Sequence, residues 1–379
     1  MKILHINCNY LGTALHQIMI EKLDQRGVEN QVFVPIHDKY KSVIIPNGNV
    51  CVSECFRKWD RFFFDFKQKK ILEAIERSVD VSCFDLIHAY TLFTDGNCAK
   101  QLSEKYGIPY VVAVRNTDVN YFFKNRIFLR NRGIRILNKA EIVFFLSEAY
   151  RSKVIETYVP LDCREDVFQK SILVPNGIDD FWFQNSFKES KYIRDEKNVR
   201  LVYVGDIDKN KNITTTQRAM GILRQKGYCP HLTVVGRVKD KDLYQKILSD
   251  ADTTCIPFMK KTQLLDLYRS NDIFVMPSIH ETFGLVYAEA MSQALPVIYS
   301  KGQGFDKQFP DGEVGYSVQS RDAADVAEGI EKIVQNYDAI SARAVKSIEK
   351  FRWAAIVDDY VATYKKLLSC KMVERAELL

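Results

Sequence analysis

The sequence predicts an α/β protein of two doubly wound domains, each a parallel sheet covered on both faces by helices. Three observations carry this. Short, continuous apolar runs rich in Val, Ile and Phe recur along the chain, as strands buried on both faces require. Each is followed by a longer helix-compatible segment, the alternation that builds parallel sheets. The runs also fall into two successive sets, in a chain of 379 residues that is too long for one compact core.

In the first set the runs are KILHIN from Lys2, QVFVP from Gln31, FDLIHAY from Phe84, YVVAVR from Tyr110, EIVFFLS from Glu141 and SILVP from Ser171. The second set holds RLVYVG from Arg200, HLTVVG from His231, DTTCIPF from Asp252, DIFVMPS from Asp272 and LPVIYS from Leu295. Between them, Pro175-Asn176-Gly177-Ile178-Asp179 stops a strand, and the polar QNSFKESKYIRDEKN that follows has no apolar face to bury. The predicted domains are therefore residues 1–180 and 198–350. The closing segment, 351–368, is helical in pattern, with Ile356, Tyr360, Tyr364 and Leu367 on one face.

Composition narrows the function. Hydrophobic residues at 46% and charged ones at 27% describe an ordered globular chain. A net charge of +6 over this length argues against a nucleic-acid partner, while permitting a basic patch that faces an acidic surface. The nine cysteines form no CxxC pair, which points to reduced thiols in a cytoplasmic protein. MKILHINCNYLG has neither a long apolar run nor a small-residue cleavage site, so it reads as a first strand rather than a signal peptide. No stretch reaches the ~18 apolar residues of a transmembrane helix. The expectation is a soluble or peripheral protein.

In such sheets ligands bind beyond the carboxyl ends of the strands, which singles out residues 7–12, 90–96, 115–120, 205–212 and 278–284. The most informative of these follows DIFVMPS: His280-Glu281-Thr282-Phe283-Gly284, then the helix-like LVYAEAMSQA. This predicts Glu281 in a strand-to-helix loop and Glu289 about two turns into the helix, a rise of ~12 Å. One carboxylate can then accept hydroxyls of a transferred sugar while the other accepts two ribose hydroxyls. Backbone N–H groups of Thr282, Phe283, Gly284 and Leu285 at the helix start can receive phosphate, with Gly284 allowing close approach. Taken alone, a Glu-x7-Glu spacing is as well explained by two ordinary glutamates, one of them favoured near a helix N-terminus. Its position directly after a buried strand ending in Pro-Ser favours the site.

These segments resemble the retaining glycosyltransferases of family 4, which have the GT-B fold: two Rossmann-like domains facing across a cleft, with a last helix crossing back to the N-terminal domain. The resemblance runs through FDLIHAYTLFTDG, VVAVRNTDVN, ILVPNGID, LVYVGDIDKNKN, SNDIFVMPSIHETFGLVYAEAMSQALPVI and the closing helix, here 351–379. It implies a nucleotide-sugar donor bound by the C-terminal domain, an acceptor bound by the N-terminal one, retention of anomeric configuration and no required metal. It makes Glu281 the donor-sugar ligand, Glu289 the ribose ligand, and Lys211, after the strand that ends at Gly205, the cation that neutralises the diphosphate.

The pattern is broken in places. Asp206 stands where many relatives have arginine, and Lys209 and Arg237 are the candidates to compensate beside the phosphates. Arg115 stands where relatives carry histidine; it cannot shuttle a proton, and acts either electrostatically in the cleft or in a structural ion pair with Asp118. Of the glycine pair expected after the first strand only Gly12 remains, and the loop Gly302-Gln303-Gly304 also differs, with no role assigned beyond shaping the cleft wall.

Asp206-Ile207-Asp208 has the Asp-x-Asp form of a metal site, but Asp240–Asp242 and Asp250–Asp252 repeat the spacing, so no metal is expected. His5 and His88 lie inside strands and His280 stands alone, which suits packing rather than ligation. FRKWDRFFFDFKQKK places Trp59, Phe62, Phe63 and Phe66 among six cations, and FFKNRIFLRNRGIRILNK adds a cationic run from Lys124 to Lys139. Two readings stand: a helix packing its aromatic face inward, or one lying on a membrane near a lipid-linked acceptor. The functional expectation is hexosyl or N-acetylhexosaminyl transfer to a glycan or lipid-linked glycan in surface polysaccharide synthesis, in the cytoplasm or at the inner face of the cell membrane. A non-catalytic sugar-nucleotide- or glycan-binding partner and a nucleotide-sugar epimerase of the same fold are the alternatives.

Overall fold

The structure, a computed structural model, describes residues 1–37, 48–188, 191–193 and 195–377. Two compact units are present: Met1–Leu146 with Tyr150–Pro175 and Trp353–Leu379, and Asn176–Arg352 with Ser147–Ala149. The first contains β1 (Lys2–Ile6), β2 (Glu29–His37), β3 (Val50–Phe56), β4 (Leu86–Ala89), β5 (Tyr110–Val114), β6 (Ile142–Phe145) and β7 (Ser171–Leu173). They form one sheet in the order β3-β2-β1-β4-β5-β6-β7, parallel throughout. The second contains β8 (Arg200–Val204), β9 (His231–Val235), β10 (Thr253–Ile256), β11 (Ile273–Met276), β12 (Val297–Ser300) and β13 (Gly315–Val318). Its order is β10-β9-β8-β11-β12-β13, again all parallel.

Successive residues of a strand point to opposite faces, and both faces of the first sheet are covered. Leu4, Ile6, Ile87 and Val112 pack under Ile71, Ile75, Leu102 and Ile136 of the helices Phe64–Ser78, Asp95–Tyr106 and Arg130–Lys139. Their neighbours Ile3, Leu86, Val111 and Phe144 pack on the other side against Met19, Ile20 and Leu23 of Ala14–Asp24 and Ile356, Val357, Tyr360 and Tyr364 of Trp353–Glu377. The closing helix is therefore part of the first unit. It is anchored by His88 Nδ1, 2.6 Å from the Tyr364 hydroxyl, and by Arg26, whose Nε donates to Asp358 at 2.5 Å.

Three features differ from the sequence reading. β3 and β13 were not among the apolar runs: VCVSECF is only partly buried and GYSV is four residues long, and both are edge strands. The stretch after Pro175 is not a bare linker. Asp180–Gln184 is helical and buries Trp182, Phe187 N–H bonds the Ser292 carbonyl at 2.8 Å, and Lys191 N–H bonds Ser341 Oγ at 3.0 Å, so this stretch packs along the second unit. Residues 189, 190 and 194 of that stretch lie outside the described residues. The closing helix runs to Glu377, past the 368 at which the apolar pattern ends though within the 351–379 of the resemblance, and Leu367 is only partly buried.

Candidate active site

In the second sheet the chain order reverses between β8 and β11, and ligands of open α/β sheets bind outside the carboxyl ends of strands at such a point. The two loops there are residues 205–212 and 277–284. Asn210 ties them together. Its carbonyl accepts Ile279 N–H at 2.7 Å, its side-chain oxygen accepts His280 N–H at 3.0 Å, and its amide donates to the His280 carbonyl at 2.8 Å. Asn212, in the left-handed conformation at φ 58°, donates to the Pro277 carbonyl at 3.0 Å.

The result is a direct contact between the two loops' functional side chains: Lys211 Nζ lies 2.6 Å from Glu281 Oε2, with only 21% and 11% of the side chains exposed. Glu281 is itself held from three sides. Its N–H donates to Gln303 Oε1 at 3.0 Å, its carbonyl accepts Gly304 N–H at 3.1 Å, and its Oε1 accepts Thr282 N–H at 3.1 Å. A side chain at Gly304 would put a Cβ 1.8 Å from the Thr282 carbonyl oxygen. The Gly302-Gln303-Gly304 loop thus seats the Glu281 loop, a role the sequence did not disclose.

Gly284 adopts φ +77°, and a Cβ there would lie 2.3 Å from the Tyr287 ring. The helix begins only after it, at Leu285–Met291, so Glu289 is the fifth helical residue and not two turns from Glu281. The left-handed glycine resets the chain direction between the two carboxylates, and the expected helical rise does not apply.

Glu289 faces a separate pocket. A cavity of about 270 Å³ is lined by Gly205, Arg237, Phe258, Leu264, Val286 and Glu289, and the Arg237 guanidinium lies 4.5 Å over the Phe258 ring. Burial pushes the Glu289 carboxyl up to about 7, and the charge of Asp179 adds to this, while a hydrogen bond from Trp182 and the charge of Lys261 oppose it. Lys261 and Asp179 pair at 2.6 Å. Trp182, Asp179 and Lys261 were missed in the sequence because they arrive from the presumed linker and from the helix Lys261–Ser270, far from either motif.

The other predicted residues divide. Lys209 sits 3.6 Å from Asp240 with 86% of its side chain exposed, outside the residues that line the cavity. Asp206 pairs with Lys239 at 3.8 Å, and Asp208 accepts Lys211 N–H at 3.0 Å. Ile207 between them bridges Val238, so the Asp-x-Asp segment serves to join two loops. Among the described residues no group of three or more His, Cys, Asp and Glu is placed to hold a metal ion.

In the first sheet the order reverses between β1 and β4. Arg115, after β5, donates from Nε to the Tyr90 carbonyl at 3.4 Å, and its backbone N–H bonds Asp118 at 2.9 Å. Fully buried Asp118 also accepts Leu92 and Phe93 N–H at 3.0 and 3.2 Å. Burial pushes its carboxyl up to about 6 against those bonds and the Arg115 charge. Asp118 thereby fastens the loop after β5 to the loop after β4. A second buried acid, Asp95, accepts Cys8 N–H at 3.3 Å, and burial pushes it up to about 7. It ties the loop after β1 to the start of Asp95–Tyr106; the strand-end rule marked its segment, 90–96, but gave it no role of its own. Gly12 lies in a short 3₁₀ turn, and a Cβ there would meet nothing within 4 Å, so neither space nor backbone requires glycine. A larger cavity of about 740 Å³ opens around Asp85, Pro109 and Glu141, which precede β4, β5 and β6. That is the wrong end of the strands for the chemistry of this fold.

Two parallel α/β units with a closing helix packed on the first define the GT-B class. The HepE protein of Anabaena, solved in complex with UDP-glucose, has this fold: TM-score 0.67 at 16% identity, over 97% of this chain and all of that one. Residues 184–351 match the family model of glycosyl transferases group 1. Relatives include a D-inositol 3-phosphate glycosyltransferase of Paenarthrobacter aurescens, 27% identical over 77% of this chain and 75% of the relative. Another is a capsular polysaccharide biosynthesis glycosyltransferase, CapM, of Staphylococcus aureus, 27% identical over 60% of this chain and 62% of the relative.

Proposed function

We propose that this chain is a retaining enzyme that moves a hexose or an N-acetylhexosamine from a nucleoside diphosphate sugar to a hydroxyl of a glycan or lipid-linked glycan. The product belongs to surface polysaccharide synthesis, at the inner face of the cell membrane. The observation that carries the reading is the Lys211–Glu281 pair at the carboxyl ends of β8 and β11, close in sequence to the Gly205 and Glu289 that line the neighbouring cavity.

In this reading Glu289 accepts the two ribose hydroxyls and Glu281 the hydroxyls of the sugar. Lys211 and Arg237 meet the diphosphate. As the bond from sugar to phosphate breaks, negative charge gathers on the departing diphosphate, and fixed cations in a half-buried site stabilise it. No metal has a part in this. Lys211 begins paired to Glu281; donor hydroxyls that bond the carboxylate release part of the ammonium's attraction toward the phosphate. Arg115, permanently charged, acts electrostatically on an anionic acceptor, beside the loops that hold Gly12 and Asp118. The reading is supported by the group 1 family match, by HepE's binding of UDP-glucose on the same fold, and by the naming of CapM for capsular polysaccharide.

The test is release of nucleoside diphosphate from a panel of uridine, guanosine and adenosine diphosphate sugars, with chelator present, with and without a glycolipid extract. One donor is expected to react, faster with the extract, and not in Glu281→Ala or Glu289→Ala; NMR of the product's anomeric carbon reads retention. Binding of a donor without turnover would assign the chain to a non-catalytic partner, and conversion of a donor into its epimeric nucleotide sugar, without acceptor or net release of diphosphate, to an epimerase.

A further inference from the structure

The two basic, aromatic stretches that the donor site does not use come together on one surface of the first unit. Phe64 and Phe122 stack edge to face at 6.0 Å, the Arg132 guanidinium lies 5.2 Å over the Phe64 ring, and Arg132 pairs with Asp65. The aromatic face does not turn inward. The helix starts at Phe64 and buries Gln68, Ile71, Ala74 and Ile75, leaving Trp59 74%, Phe63 69% and, from the second stretch, Phe128 95% exposed. Phe62, Phe66 and Ile127 are more than half exposed beside them.

These rings stand among twelve lysines and arginines in 57–70 and 124–139, against two acids, Asp60 and Asp65. Both acids are already paired, with Lys70 and Arg132. Twelve cations less two acids leave the two stretches a net charge of +10, against +6 for the whole chain. Large apolar side chains left in water are costly without a partner. A partner that suits both the rings and the cations must be apolar within and anionic at its face. Between the two stretches lies a cavity of about 480 Å³ whose lining includes Arg61, Lys67, Thr94, Thr117, Tyr121 and Arg126. It offers cations and hydroxyls to an anionic headgroup, next to the loops after β4 and β5.

We propose that this surface docks the chain on a bilayer of anionic phospholipid. Trp59, Phe63 and Phe128 enter the interface, the surrounding cations sit at the phosphate level, and the Arg61/Lys67/Arg126 cavity receives a headgroup. The proposal is independent of the donor chemistry, because binding is read without turnover.

The chain carries its own reporter. Of its three tryptophans, Trp182 and Trp353 are buried and Trp59 is exposed. The full chain is mixed with vesicles of phosphatidylcholine alone, or of phosphatidylcholine with phosphatidylglycerol, sedimented, and its tryptophan emission recorded. Sedimentation with the anionic vesicles only, weakened by salt, and with a blue shift that Trp59→Phe removes, is the expected result. The triple variant Trp59→Ser, Phe63→Ser, Phe128→Ser and the pair Lys58→Glu, Arg61→Glu should each lower partitioning about tenfold or more, with unchanged thermal melting because these side chains are exposed. Failure to bind anionic vesicles overturns the proposal, as does undiminished binding by the triple serine variant. Capture of an acidic protein by a chain that ignores both vesicles would assign the surface to a protein partner and overturn it equally.

Discussion

Lys211 Nζ and Glu281 Oε2 lie 2.6 Å apart, joining residues seventy positions apart in the chain at the ends of two adjacent strands. A half-buried pair of this kind is lost unevenly. Removing one partner strands the other's charge in a site that excludes much of the water. Lys211→Met should lower stability by about 3 kcal/mol, and Lys211→Met with Glu281→Leu should recover part of it, read by urea unfolding. Activity should not recover. If leaving-group charge depends on Lys211, the single change lowers kcat by about a hundredfold or more.

Glu289 gives a pH dependence with a definite sign. Burial raises its carboxyl from 4.5 to about 7, so between those values the folded chain keeps a proton that the unfolded chain has lost. Its contribution to stability is therefore present at acid pH and is lost as pH rises through about 7. Glu289→Gln should melt no lower than the parent at pH ~8 and flatten that slope. For donor binding the ionised form accepts both ribose hydroxyls, so the parent's donor KM should climb as pH falls below about 7, by up to tenfold per unit. In Glu289→Gln the KM should be high and level with pH.

The loop behind Glu281 should be intolerant. Gly304→Ala forces a Cβ to within 1.8 Å of the Thr282 carbonyl, and backbone must move. A loss of about 1–3 kcal/mol is expected, with kcat/KM falling further than stability explains because Glu281 moves with Thr282. Gln303→Ala removes the acceptor of Glu281 N–H and should lower kcat/KM with a smaller stability loss. Gly12→Ala, with open space around it, should melt as the parent does. Thermal melts beside steady-state kinetics separate the three.

Tyr364→Phe tests how the closing helix is held. Its hydroxyl is 2.6 Å from His88 Nδ1, and both residues are fully buried. Burial keeps His88 far below the usual histidine range, so the ring is neutral and depends on this partner. Removing the hydroxyl should cost about 1–3 kcal/mol in urea unfolding. Lys365→Ala, on the exposed side of the same helix, should cost little.

The apolar runs located eleven of the thirteen strands among the described residues, because a strand buried on both faces must be apolar at every position. They passed over β3 and β13, whose sequences VCVSECF and GYSV are only partly buried and interrupted by polar residues. The pattern of Ile356, Tyr360 and Tyr364 was readable as one face of a helix, since helical spacing is local. Glu281 and Glu289 were singled out by a similarly local rule, that the carboxyl ends of parallel strands are where such folds bind, whereas Lys211 was named only through the family resemblance. What only the tertiary structure decided are relations between segments distant in sequence. These are the contact of Lys211 with Glu281, the seating of Glu281 by Gln303 and Gly304, the closing of Trp182, Asp179 and Lys261 around Glu289, and the outward turn of Trp59, Phe63 and Phe128. Periodicity says which positions avoid water, but a contact between side chains depends on the register of strands and the path of loops, and those are fixed only when the sheets assemble.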